Sequence, residues 1–260
     1  MAQNRAKTDF TLMKWNADKY FETCGRVTEH GNKLVGVLRE LGCGRVLDAG
    51  CGTGVLTNEI AEFSGEVIGI DSSAEMIQKA KTLYPKLKFE VMDACSLVWE
   101  NYFDGVFSNA VFHFLKSQES LLASIHRALV KNGALVCEFG ASGNLQNLLD
   151  AVEKACKKRG KAYSLRFYYP TAEEYRAILE KCGFSAEIVD VYDLDTRLKE
   201  GEAGLRNWIM QIFDVEMEWF EPSGREEVLN EIELALKPVQ WDGSAWHLAN
   251  RRIRVVARKI

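Results

Sequence analysis

RVLDAGCGTGVLT, residues 45–57, sets three glycines and a cysteine between an apolar run and a helical pattern. Glycine packs poorly in a strand or helix, so three at alternate positions predict a backbone that something approaches closely. A pyrophosphate, a metal ion or another charged cofactor would each suit such a loop. Outward from it, RVLDAG reads as a strand and Leu56 to Phe63 as the helix that follows. EVIGID (66–71) and AEMIQKAKTLY (74–84) repeat the pair. KFEVMD (88–93), GVFSNA (105–110) and GALVCEFG (133–140) read as further strands, with SQESLLASIHRAL (117–129) as the helix before the last. Strands alternating with helices predict βαβ units, hence a parallel sheet with helices on both faces.

After Gly140 the rhythm changes. GNLQNLLDAVEKACKKRG (143–160) reads as a helix and RFYYPT (166–171) as an aromatic connection. Thr171 with Glu174 three residues on predicts a capping box for AEEYRAILEKC, and Gly183 its stop. SAEIVDVYDL (185–194) resumes the strand pattern, 197–245 reads as helical and rich in Trp, Phe and acids, and RRIRVVARK (251–259) closes as a strand. The non-alternating parts are expected to roof one end of the sheet. They divide one domain into a core of about 32–139, 171–196 and 250–260, lid insertions of about 140–170 and 197–249, and an N-terminal cap of 1–31.

Composition bounds the function. The chain has 260 residues, 47% hydrophobic and 27% charged, with 33 basic against 37 acidic residues. A net charge of −4 speaks against a nucleic-acid backbone as partner. No apolar run approaches a membrane span and MAQNRAKTDF lacks a signal-peptide core, so a cytoplasmic protein without a membrane partner is expected. Seven dispersed cysteines, at 24, 43, 51, 95, 137, 156 and 182, predict reduced thiols. Their spacing matches no zinc knuckle, so no metal is expected.

In an open α/β sheet the first βα turn is where ligands bind. A dinucleotide wants G-x-G-x-x-G, whereas Gly50, Gly52 and Gly54 make G-x-G-x-G with the acidic Asp48 before it. A carboxylate there suits an ammonium or sulfonium better than a pyrophosphate. Cys51 reads as a small residue filling the loop.

DAGCGTG, with Asp71 and Asp93 ending the next two strands, resembles the class I S-adenosylmethionine-dependent methyltransferases over 45–139. The resemblance implies a Rossmann-like, doubly wound, mostly parallel seven-stranded sheet with an antiparallel last strand and helical lid insertions. It also implies S-adenosyl-L-methionine as cofactor. The loop Asp48-Ala49-Gly50-Cys51-Gly52, with Gly54, would cradle the methionine part, with Asp48 near the ammonium through the loop or a water. Asp71, beside Ser72, would take the ribose hydroxyls, and Met76 would pack near the adenine. Asp93 and Ala94 would read the adenine amino edge, and Asn109 would line the methionine end. WNADKYF (15–21), NAVFHFL (109–115), FYYPTAEEYRAILEKCGF (167–184) and DGSAWHLANRRIRVVARK (242–259) are similar to the trans-aconitate methyltransferase-type branch, which implies a small-molecule acceptor, often a carboxylate.

For a hydroxyl or amine acceptor a base is required, and His113 is the candidate near the cofactor end; its other reading is a polar residue packed between Phe112 and Phe114. His126 is expected on a helix surface, and His247, beside Trp246, toward the lid. For a carboxylate acceptor the expected donors are Tyr168, Tyr169, Arg251 and Arg252, with Trp15, Tyr20, Trp208 and Trp246 as walls. A nicotinamide-dependent oxidoreductase and a non-catalytic S-adenosylmethionine-binding module are the competing readings. A monomer or homodimer is expected.

Overall fold

The computed structural model describes the backbone of residues 25–260 and side chains from residue 31 onward. Trp15, Tyr20, Cys24 and the 15–21 motif lie outside the described residues. Helix α1 (Gly25–Glu40) leads into β1 (Arg45–Ala49), α2 (Val55–Ala61), β2 (Glu66–Asp71), α3 (Ala74–Leu83), β3 (Lys88–Val91) and β4 (Phe103–Asn109). Then come α4 (Gln118–Ala128), β5 (Leu129–Gly140), α5 (Gln146–Lys158), α6 (Ala172–Lys181) and β6 (Phe184–Arg197). The lid helices α7 (Gly204–Ile212), α8 (Asp214–Met217) and α9 (Pro222–Gln240) precede the last strand, β7 (His247–Lys259).

The strands form one seven-stranded sheet in the order β3-β2-β1-β4-β5-β7-β6. The first five are parallel, and β7 runs antiparallel to both β5 and β6. This is the doubly wound sheet expected from the alternation, with its antiparallel last strand. The order reverses between β1 and β4, so a crevice opens beyond their carboxyl ends.

Strand alternation divides the core. Leu47, Val106, Leu135 and Phe139 face one layer, with Phe112, Tyr175 and Phe184. Val46, Phe107, Ala134 and Val136 face the other, where Leu34, Leu38 and Ile60 of α1 and α2 pack. The capping box forms as expected: the Glu174 amide donates to Thr171 Oγ1 at 3.2 Å and the Thr171 amide to Glu174 Oε2 at 2.8 Å.

A third cluster belongs to the lid. Leu148 and Val152 of α5, Phe167, Ile209 of α7, Phe213, Met217, Ile232 of α9 and Trp246 share it. Two boundaries differ from the sequence reading. Helix α1 runs through residue 31, where a cap was expected to end. Strands β6 and β7 extend past the sheet as a ribbon paired out to Arg197 and His247, inside a stretch read as helical lid. The cause is local: Leu194-Asp-Thr196 and His247-Leu-Ala-Asn250 keep a period-two alternation that continues the ladder.

Candidate active site

A cavity of about 400 Å³ lies beyond β1, β2 and β4 and is roofed by the lid. Its sheet end is lined by Gly50, Gly52, Asp71, Ser72, Met76, Asp93, Ala94 and Asn109; its lid end by His113, Tyr169, Trp208 and Arg252. These twelve sequence candidates therefore come together in space.

The glycine loop is folded over β2, because the amides of Gly50 and Cys51 both donate to the Ile70 carbonyl, at 2.8 and 2.9 Å. Gly50 has φ +82°, and a Cβ there would meet Val111 Cγ2 at 2.3 Å, so no other residue fits. Gly52 has φ +54°, and beyond its own chain neighbours no described atom lies within 4 Å of where its Cβ would stand: its bare face opens on the cavity. Asp71, at the end of β2, accepts from the Gly52 amide at 3.0 Å and the Ser73 amide at 2.8 Å. Burial raises its pKa and the two backbone donors pull it down. A carboxylate offers about four acceptor positions, so two remain for a ligand. Asp93 caps the turn at 94–96, its Oδ1 accepting from the Cys95 amide at 2.9 Å.

Beyond Asn109, Ala110 sits in the left-handed region at φ +60° and donates to the Glu138 carbonyl at 2.7 Å. That bend turns Val111 and His113 into the cavity. His113 Nδ1 accepts from the Gly140 amide at 3.3 Å. Burial, then the Arg252 charge, hold its pKa well below the ordinary value. The ring is therefore neutral with its proton on Nε2 and its basic lone pair already engaged, which makes it a donor toward the cavity. His113, the candidate base of the sequence reading, thus lines the cavity with Nδ1 already engaged.

Arg252 enters from β7 with its side chain only 11% exposed. Its Nη2 donates to the Glu138 carbonyl at 3.3 Å and lies 3.5 Å from Asn109 Oδ1, while Nε stands 3.6 Å from Glu138 Oε1. The fully buried Glu138 carboxylate is already held by Arg254, at 2.9 and 3.0 Å on Oε2. Two guanidinium groups thus share one carboxylate, and of the two only Arg252 lines the cavity. Nε and Nη2 of Arg252 look into the protein, which leaves Nη1 for a ligand. Tyr169 hydrogen-bonds Asn144, and burial pushes its hydroxyl up to about 12, so it stays protonated.

Seven candidates with described side chains do not line the cavity. Asp48 is 2% exposed and turns beneath the loop to accept from Thr57 Oγ1 at 2.6 Å. Its place on β1 follows alternation with Val46, toward α2. The Ala49 carbonyl accepts from Ser108 Oγ at 2.7 Å. Cys51 packs with Ile77 and Phe89, and burial raises its thiol far above the reactive range. Gly54 meets the Phe89 ring at the start of α2. The Tyr168 ring lies against Tyr175, Trp246 is buried under the lid with Nε1 donating to the Glu202 carbonyl, and Arg251 faces out 3.9 Å from Asp193. His247 sits at the lid rim, bonded to Asp195 at 2.6 Å and Asp242 at 3.0 Å, half-buried and outside the cavity wall. His126 is half-buried against Phe184.

Sequence reading missed Val111, Phe114, Asn144, Leu145, Phe167, Leu194, Thr196, Ile212, Leu248 and Asn250. Period-two alternation along β6 and β7 was the available signal for four of them; the others meet only through tertiary packing. Among the described residues no group of three His, Cys, Asp or Glu is placed to hold a metal, and no helix is long and apolar enough to cross a membrane.

Residues 47–137 match the family described as "Methyltransferase domain". An uncharacterised methyltransferase of Schizosaccharomyces pombe is 29% identical over 94% of this chain and 98% of its own length. A trans-aconitate 2-methyltransferase of Deinococcus radiodurans is 33% identical, but over only 50% of this chain and 51% of the relative. The crystal structure of a putative methyltransferase from Bacillus halodurans superposes with a TM-score of 0.62 at 18% identity, covering 88% of this chain and 99% of that one. With the glycine loop, the acids that follow β2 and β3 and the sheet order all in place, the chain is similar to the class I S-adenosylmethionine-dependent methyltransferases, and residues 47–137 match a methyltransferase domain.

Proposed function

We propose that this protein transfers a methyl group from S-adenosylmethionine to a carboxylate oxygen of a small molecule. The observation that carries the reading is Arg252, a buried cation in the cavity wall beside Asn109 and a neutral His113. The sheet end fits the cofactor by its donor set: two backbone-held carboxylates with acceptor positions to spare and a loop whose Gly52 leaves open space. Asp71 would hold the ribose hydroxyls, Asp93 and Ala94 the adenine edge, Met76 the adenine face, and the glycine loop with Asn109 the methionine part. When bound, the cofactor supplies a methyl group already activated on a sulfonium.

The protein's task is then positioning. Arg252 Nη1 and His113 Nε2–H would hold one carboxylate oxygen and leave the other to attack in line. The apolar lid walls exclude water, which favours the meeting of opposite charges over their separation. No proton leaves the acceptor, so no base is needed, in keeping with His113 being a donor. Core and lid act as one domain, and we assign this chemistry to the cytoplasm, where the six described cysteines stay free thiols, as they are here.

Turnover on a panel of carboxylates, phenols and amines tests the reading, with methyl transfer expected for carboxylates alone. Turnover confined to phenols or amines would overturn it. Asp71→Ala is expected to weaken binding of S-adenosylhomocysteine by about 1–3 kcal/mol, from two lost charge-assisted hydrogen bonds. Titration calorimetry reads this directly, and unchanged affinity would sink the ribose assignment. Arg252→Met is expected to lower kcat/KM for the acid by about a hundredfold, or 2–3 kcal/mol, with cofactor affinity within about twofold of the parent.

A further inference from the structure

We infer that the acceptor is a monocarboxylic acid with an aromatic or apolar body, and that the cavity discriminates against di- and tricarboxylates. The inference rests on the carboxylate reading above and narrows it. Among the described residues Arg252 is the one cation that lines the cavity. The charged side chains at the other end, Asp71 and Asp93, are acids and repel further anionic groups.

The remaining polar groups of the lid end are largely engaged. Asn250 Nδ2 donates to Thr196 Oγ1 at 2.9 Å and to the Leu248 carbonyl at 3.1 Å. Asn144 Oδ1 accepts from the Arg251 amide at 2.9 Å, and its side chain also bonds Tyr169. A second carboxylate brought in here would be stripped of water without a counter-charge, which is strongly unfavourable. What the lid end offers instead is a rigid apolar wall of Phe114, Phe167, Tyr169, Trp208, Ile212 and Leu248. Phe167 and Tyr169 stand stacked with centroids 5.8 Å apart, and Phe114 meets Phe167 edge-on at 5.6 Å. Flat rings and short chains fill such a wall; a compact polyanion leaves it unsatisfied.

The test uses the full-length protein with S-adenosylmethionine and three acids: phenylacetate, acetate and trans-aconitate. The expected order of kcat/KM puts phenylacetate at least about tenfold above both others. Trp208→Ala and Phe167→Ala are each expected to raise KM for phenylacetate about tenfold while leaving KM for acetate within about twofold. Both variants' binding of S-adenosylhomocysteine, read by calorimetry, reports that the fold is intact; if either loses it, Trp208→Phe, which keeps a ring, supplies the comparison and is expected to raise KM for phenylacetate less than fivefold. Trans-aconitate turned over as well as phenylacetate or better would overturn this inference and leave the carboxylate reading standing. Cofactor binding with no acid methylated, and methylation of a phenol or amine instead, would overturn both.

Discussion

Asp48→Asn is expected to gain stability relative to the parent as pH rises, by on the order of 4 kcal/mol between pH 4 and pH 8. Asp48 lies beneath the glycine loop at 2% exposure, and burial pushes its carboxyl up to about 7 against an ordinary 3.8. The Thr57 hydroxyl opposes that rise and the neighbouring Asp71 charge adds to it. From pH 4 to 7 the folded chain therefore keeps a proton on Asp48 that the unfolded chain has released. Stability falls with pH wherever the folded state binds more protons. The contribution is complete below pH 3.8 and lost as pH rises through about 7. A window of about three pH units, at about 1.4 kcal/mol each, gives the magnitude. The amide introduced by the substitution cannot titrate, and its own fit adds an offset that does not vary with pH. Urea unfolding of both proteins at pH 5 and pH 8 reads the difference; parallel pH profiles would contradict the buried, proton-holding Asp48.

Arg166→Leu is expected to cost about 3–5 kcal/mol of stability. Arg166 Nε sits 2.9 and 3.3 Å from the two oxygens of Glu216, whose side chain is 2% exposed, and Nη2 is 3.4 Å from Asp214. The guanidinium also donates to the Ile212 carbonyl and lies 4.8 Å over the Phe167 ring. Removing it strands a buried carboxylate, which is worse than never having buried the pair. The double variant Arg166→Leu/Glu216→Leu should therefore recover most of the loss, as thermal or urea unfolding would show. Phe167 and Ile212 both line the cavity, so the single variant should also raise KM for the acceptor while cofactor affinity holds. An Arg166→Leu protein as stable as the parent would mean that Glu216 is not buried as described.

The sheet end of the site was legible in the sequence because its residues stand where the parallel strands finish. Asp71 ends β2, and the glycine loop and Asp93 follow β1 and β3 within two residues, and parallel strands deliver their carboxyl ends to the same edge. Asp48 lies beneath the loop and not in the cavity wall for a reason the alternation already contained: it shares a face with Val46, which packs toward α1 and α2. The same rule separates Arg252, on the face of Leu248 and Asn250, from Arg251, which points to solvent. His113 was recognisable as a cavity candidate, but its contact with the Gly140 amide, 27 residues away, was not. The lid was the least legible part. Leu145, Phe167, Ile212 and Leu248 come from four separate segments, and each alone reads as an ordinary core residue. Their convergence is a product of helix packing that no local period encodes.

The most direct test of the account is the chemical lability of the transferred methyl group. Incubation with methyl-labelled S-adenosylmethionine and phenylacetate should yield a product that mild alkali hydrolyses, releasing the label as methanol. That outcome identifies a carboxyl methyl ester, the product expected of a cavity whose single described cation is Arg252. Label retained through alkaline hydrolysis, as in a methyl ether or methylamine formed on another acceptor, with no ester formed on any acid, would contradict it.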